Sequence, residues 1–153
     1  MVQPFLMSDQ NNPWIMIRDA DPSGVVLFRR HYSFNPRKRG LQKQPHFCGP
    51  GEKMVLMTPC ARALFVWRKF KSMDNQVGVN CAVFRNEGAG LSSALIAAAM
   101  DLAWERWPGE RLYTYVNPRK VASANPGYCF LMAGWRRCGA TKARQLMIFE
   151  VMP

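Results

Sequence analysis

One stretch narrows the folds open to this chain more than any other: Ala82-Val83-Phe84-Arg85-Asn86-Glu87-Gly88-Ala89-Gly90-Leu91-Ser92-Ser93, running on from Ala94 to Trp107. An apolar strand ends there in a turn with two glycines and opens directly into a helix. Glycine removes the Cβ where backbone has to approach a ligand closely, and Ser92 or Ser93 offers a hydroxyl to cap the helix. A helix N-terminus behind such a turn presents free N–H groups and the positive end of the helix dipole, which suits an anion, usually phosphate. The spacing Arg85-x-x-Gly88-x-Gly90, with Ser92 and Ser93 behind it, therefore marks a candidate anion site.

The flanking sequence supplies a sheet for that unit. Residues 1–13 are polar and proline-bounded, a loose leader, and Trp14 to Arg18 read as a short strand. Asp21-Pro22-Ser23-Gly24 reads as a turn running into a helix ahead of His31-Tyr32-Ser33. Met54 to Met57 and Ala63 to Trp67 form an antiparallel hairpin about the Thr58–Arg62 turn, and Val77 to Phe84 is a third strand. Alternation puts Val77, Val79, Cys81 and Val83 on one of its faces. On the helix, Leu91, Leu95, Ala98, Ala99 and Leu102 recur at helical spacing and face the sheet. A strand from Arg111 to Val116, a short helix from Pro126 to Ala133 and a last strand near Leu146–Val151 follow. Antiparallel strands followed by a single crossover helix predict one α+β domain with a mixed, mostly antiparallel sheet flanked by helices.

Charge selects the partner. Twenty-one Lys and Arg stand against ten acidic residues in 153, a net charge of +11, and such a surface suits a polyanion, with nucleic acid the leading candidate. The most basic segment runs from Asn35 to Gly51, where Arg37, Lys38, Arg39 and Lys43 lie among prolines and glycines. With Arg68, Lys69 and Lys71 they are the expected contacts to a phosphate backbone. The alternative for both is an ordinary solvated surface. Five cysteines, odd in number and without a CxxC pair, fit reduced thiols in a cytoplasm better than a disulfide framework or zinc ribbon. No apolar run reaches the roughly 20 residues of a membrane span, and the first residues lack the pattern of a secretory signal. A homo-oligomer is left open.

Residues 53–151 resemble the GNAT N-acetyltransferase superfamily. Arg85-x-x-Gly88-x-Gly90 matches its [Gln/Arg]-x-x-Gly-x-[Gly/Ala] signature at the same strand-to-helix junction. Val116 through Phe130-Leu131-Met132-Ala133-Gly134-Trp135 is similar to its second landmark, a strand, an Asn-bearing loop, a short helix and an aromatic-x-x-x-Gly-aromatic ending. The resemblance implies acetyl-CoA or a related acyl-CoA, its pyrophosphate wrapped by the turn, with Val83, Phe84, Arg85, Gly88, Gly90, Leu91, Ser92, Ser93 and Asn125 as the cofactor contacts. Two positions depart from the pattern. Phe130 stands where a tyrosine usually protonates the leaving thiolate, and Ser123 where an asparagine is usual, with Asn125 displaced by two. Phenylalanine has no proton to give. Tyr128 is the nearby substitute, with a core tyrosine as the alternative reading.

Arg30-His31-Tyr32-Ser33 ahead of the basic loop, on a small basic domain of this kind, resembles the phage Mom-type DNA-modification proteins. That resemblance implies double-stranded DNA as substrate, modification of the exocyclic amine of adenine, protection from restriction, and binding of acetyl-CoA and iron. It places His31 and Tyr32 at the metal or reacting centre, both being plausible iron ligands, with Asp19, Asp21, His46 and Cys48 as further candidates. The target base has to leave the stack to be reached, and Trp67, Trp135, Tyr113 and Tyr115 are the aromatic residues on which it would stack or which form the core. A conventional acetyltransferase of small amines or protein lysines, and a non-catalytic nucleic-acid-binding relative, are the competing readings.

Overall fold

The computed structural model describes residues 11–34, 46–121 and 124–153. Its elements are β1 (Ile15–Ile17), α1 (Pro22–Arg29), β2 (Glu52–Met57), β3 (Ala63–Lys69), β4 (Val79–Asn86), α2 (Ser92–Arg106), β5 (Leu112–Val116), α3 (Tyr128–Met132), β6 (Arg136–Ala140) and β7 (Met147–Val151). The seven strands form one sheet in the order β1-β2-β3-β4-β5-β7-β6, and every pairing is antiparallel except β4 with β5. The protein is thus α+β, with α2 as the crossover between the two parallel strands. Among the described residues, no helix is long and apolar enough to cross a membrane.

Local chemistry accounts for the helices. Asp21 caps α1 by accepting from the Ser23 and Gly24 N–H groups at 3.0 and 3.4 Å, and Pro22 opens the helix where its missing N–H costs nothing. In α2 the small alanines bring the backbone close enough for the indoles of Trp14 and Trp67 to donate to the Leu95 and Ala99 carbonyls, at 2.8 and 2.9 Å. Leu95, Ile96, Ala99, Met100, Leu102 and Ala103 are buried in this face. Truncating a residue such as Ile96 to alanine there costs about 2–5 kcal/mol. Leu91, expected in the same stripe, is instead the N-cap residue and stays exposed.

Two features of the sheet depart from the sequence pattern. Between β3 and β4 the register passes from Val66↔Val83 to Trp67↔Cys81, so Ala82 is a bulge. A bulge reverses the alternation of faces. Val79 and Cys81 accordingly pack with α2, whereas Val83 packs on the α1 side with Leu27, Val55 and Val66, and Phe84 takes the α2 side. Val77, expected on the same face, precedes the strand and is exposed. The second feature is β6, which was not expected: all five residues are exposed and carry no apolar alternation. It is a strand because it lies along β7, with a second bulge at Cys138 between Arg137↔Phe149 and Gly139↔Ile148.

Candidate functional site

β4 and β5 share register only from Val79↔Leu112 to Cys81↔Thr114. Beyond that point β4 continues to Asn86 along β3, and β5 continues to Val116 along β7. The β5-facing edge of β4 therefore loses its strand neighbour from Ala82 onward. The gap is a cavity of about 460 Å³, within the usual size of a small-molecule site. β4 contributes Cys81, Ala82, Phe84, Arg85 and Asn86 to its wall, and β5 contributes Thr114, Tyr115 and Val116. The end of α1 adds Arg30, His31 and Tyr32, and the β5–α3 loop with α3 adds Lys120, Val121, Gly127, Cys129 and Phe130.

The glycine turn continues from this wall as a lip. Asn86 organises it: its Oδ1 accepts from the Gly88 and Ala89 N–H groups at 3.1 and 2.9 Å, and its Nδ2 donates to the Gly90 carbonyl and Ser92 Oγ at 2.7 and 2.9 Å. Neither Ser92 nor Ser93 caps α2, contrary to expectation, because Ser92 is already helical and its hydroxyl is held by Asn86. The helix N-terminus has no side-chain cap hydrogen bond. Gly88 and Gly90 have φ of +94° and +157°, and a Cβ on either would point into open space. Phe84 and Arg85 lie in the cavity wall; Gly88, Gly90, Leu91, Ser92 and Ser93 lie on the lip outside it, and Asn125 is exposed just before α3. Val83 is turned to the α1 side by the Ala82 bulge.

His31 and Tyr32 do meet in the wall, with ring centroids 4.4 Å apart. His31 Nδ1 accepts from the Ser33 N–H at 3.1 Å, which leaves the proton on Nε2 and available to the Phe84 carbonyl. Burial, with the charge of Arg85 adding to it, pushes His31 down to about 4, so the ring is neutral at pH 7. Tyr32 donates to the Tyr115 carbonyl at 3.4 Å, beside the Asn117 backbone; burial raises its pKa. Burial likewise raises Cys81, Cys129 and Tyr115, the last also bonded to Asp74 Oδ1 at 2.6 Å. Inside, the cavity is neutral. Its charges are the cations Arg30, Arg85 and Lys120 at the rim.

The expected iron ligands do not assemble into a donor set here. Both His31 nitrogens already have partners, and no group of three or more His, Cys, Asp or Glu side chains gathers among the described residues. Asp21 caps α1. Asp19 holds the Phe47 and Cys48 N–H groups at 2.8 and 3.2 Å and lies 3.5 Å from His46 and 3.7 Å from Lys53, near the start of α1 and away from His31. Tyr128, the expected substitute for the tyrosine acid, is exposed and outside the cavity wall, whereas Phe130 is in that wall. Trp67, Trp135 and Tyr113 are core residues and present no face to a base, whereas Tyr115 reaches the cavity.

Arg37, Lys38, Arg39 and Lys43 lie outside the described residues. Arg68, Lys69 and Lys71 sit at the wrong end of the sheet for the cavity: Lys69 is in register with Val79, the start of β4, and Arg85 lies near its other end. Six residues of strand separate those positions by about 20 Å. Arg68 is also committed to the Pro50 carbonyl at 2.7 Å and stacks 3.5 Å over Phe70, and Lys69 pairs with Glu110 at 2.8 Å. Lys71 is exposed.

Other basic residues lie at the cavity end of the sheet. The β2–β3 turn, the β5–α3 loop and the β6–β7 turn all lie at the cavity end of the sheet, and bring Arg62, Arg119, Lys120, Lys142 and Arg144, all exposed. Arg119 donates to Gln145 at 3.2 Å and so ties the last two of these segments together. With Arg30 and Arg85 they make seven cations, and Glu87 is the one acid in the loops and turns at this end among the described residues. The chain matches no protein-family model, no curated protein and no solved structure.

Proposed function

We propose that the protein is a GNAT-type transferase that modifies the exocyclic amine of adenine in double-stranded DNA, as the Mom-type proteins it resembles do, with protection from restriction as the outcome. The observation that carries this reading is the charge at the cavity end of the sheet, seven basic residues against Glu87, with Arg30, Arg85 and Lys120 in the cavity wall itself. A small cationic amine or a lysine side chain would be repelled there, whereas a duplex laid across the sheet end would meet cations on both sides of the opening.

The donor side rests on the neutrality of the cavity and the cations Arg30, Arg85 and Lys120 at its rim. A ligand with a long uncharged arm and a phosphorylated end, as in an acyl-CoA, suits that division. Arg85 and the backbone N–H groups of Gly90 to Ser93 would hold its phosphates, those of Gly88 and Ala89 being taken by Asn86. The β5-facing edge of β4 beyond Cys81, which has no strand beside it, would hydrogen-bond the arm through groups other than the Phe84 carbonyl that His31 engages. When bound it supplies an activated acyl group. Phe84, Val116, Phe130 and the neutral His31 exclude water around the arm. Adenine's amine is a weak nucleophile, since its lone pair is delocalised into the ring, so orientation counts heavily. Tyr115, which reaches the cavity wall, would pack on a base taken out of the stack, and His31 would hold Tyr32 against the end of β5.

Mass spectrometry of nucleosides from cells expressing the protein tests this. A modified adenosine in the wild type that disappears with Gly88→Asp is expected. Unmodified DNA alongside soluble, folded protein overturns the reading, and newly acetylated protein lysines would replace it with conventional acetyl transfer.

A further inference from the structure

The arginine of the glycine turn is not extended toward a ligand. Arg85 Nε donates to Glu87 Oε2 at 2.5 Å and its Nη1 to the Arg30 carbonyl at 2.6 Å. Arg30, just past the end of α1, closes on the same carboxylate with two parallel bonds, Nε to Oε2 and Nη2 to Oε1, both 2.7 Å. A carboxylate gripped by a planar guanidinium fork presents the geometry that a phosphate would present. Two arginines from segments 55 residues apart thus converge on one anion, and the anion is supplied by the turn itself. Both line the cavity.

We infer that Arg30 is a second anion-binding residue of this site, and that Glu87 stands in for the ligand's phosphate on both guanidiniums until an anionic ligand displaces it. The inference rests on the donor-site reading above and deepens it, by naming a residue that motif spacing could not indicate. Glu87 is the x before Gly88 in the motif, and Arg30 lies far outside it. The pairing keeps two cations from facing each other bare at the mouth of the cavity while the site is empty, and holds them in place for the ligand. Its consequence is competition. An incoming phosphate gains two guanidiniums but has to displace Glu87 from them first, so Glu87 sets affinity from within the motif.

Calorimetric titration of the full-length protein with two probes, coenzyme A and inorganic pyrophosphate, tests this in a double-mutant cycle of Glu87→Gln and Arg30→Ala. Glu87→Gln is expected to tighten both probes about fivefold, the fold-change that one exposed ion pair is worth. Arg30→Ala is expected to weaken them by a similar factor, and to shrink the gain from Glu87→Gln, which then frees Arg85 alone. An equal gain in both backgrounds overturns the proposal, because Glu87 then merely repels anions from a distance. So does weaker binding by Glu87→Gln, which would make the carboxylate a scaffold. If Glu87→Gln does not fold, Glu87→Asp serves: it keeps the charge but is too short to span both guanidiniums, and an intermediate gain is expected, with unchanged affinity overturning the proposal. Pyrophosphate binding that follows the cycle without any coenzyme A binding keeps this assignment and removes the acyl-CoA donor. Binding of neither probe by any variant overturns the assignment.

Discussion

Thr114 Oγ1 donates to the Cys81 carbonyl at 3.0 Å, at the last register position that β4 and β5 share before they part. The bond pins the apex of the opening, and the cavity begins where it ends. Replacing Thr114 by the isosteric valine removes the donor and leaves a buried carbonyl one partner short. A loss of about 1–3 kcal/mol is expected, seen as a lower urea midpoint with an unchanged m-value. An unchanged midpoint would show that the strands hold together without it.

His31 ties folding to pH in a defined direction. In the unfolded chain its pKa is 6.5; in the folded protein burial and Arg85 lower it to about 4. Between those values the unfolded state binds a proton that the native state does not, so acid favours unfolding. The contribution is complete above pH 6.5 and is lost as pH falls toward 4, at a slope of up to ~1.4 kcal/mol per unit. Denaturant titrations at about pH 7, 6 and 5 should show this slope in the wild type and a shallower one in His31→Gln. Nitrogen NMR shifts of the ring should remain those of a neutral imidazole at about pH 5.5. A ring that titrates near its ordinary value of 6.5 would contradict the buried placement.

The unit from Ala82 to Trp107 was legible because its signals are local: a β-rich run, two glycines, then alanines and leucines at helical spacing. What escaped was set by tertiary pairing. The bulge at Ala82 reverses the faces of β4 and moves Val83 away from the cavity, yet nothing in Val-Asn-Cys-Ala-Val-Phe announces it. β6 has no apolar pattern because it is an edge strand exposed along its whole length. Asn86 could have been found, since asparagine before a glycine turn commonly accepts from backbone two or three residues on. Arg30 meets Glu87 only because α1 runs across the sheet to the cavity end. Arg68 and Lys69 read as a basic cluster in sequence, but the direction of β3 carries them away from the cavity, and Phe70 and Glu110 engage them.

That direction makes the two ends of the sheet experimentally separable. Charge reversal of Lys120, Lys142 and Arg144 should lower affinity for a duplex of about 20 base pairs more than roughly tenfold. It should also flatten the plot of log affinity against log salt, by about 0.9 for each phosphate that the variant no longer neutralises. Lys69→Ala with Lys71→Ala at the far end should change affinity less than about twofold, since an exposed lysine away from the bound duplex acts only through long-range charge that salt screens. Fluorescence anisotropy between about 50 and 300 mM salt reads both. Equal losses at the two ends would mean that the duplex does not lie across the cavity.

Gly88 and Gly109 form a matched pair that separates folding from binding at the glycine turn. Both have positive φ, +94° and +76°, and in both a Cβ would point into open space. Alanine at either site therefore incurs the left-handed backbone penalty of about 1–2 kcal/mol and no steric clash within the protein. Gly109 follows α2 at the opposite end of the sheet, whereas Gly88 is on the lip of the cavity, where a phosphate would need the space that a methyl group takes. The two substitutions should lower thermal stability by similar amounts. Only Gly88→Ala should weaken coenzyme A, by about tenfold or more if the methyl displaces the pyrophosphate from the backbone. Equal affinity in the two variants would place the phosphates somewhere other than the turn, whatever their common effect on stability.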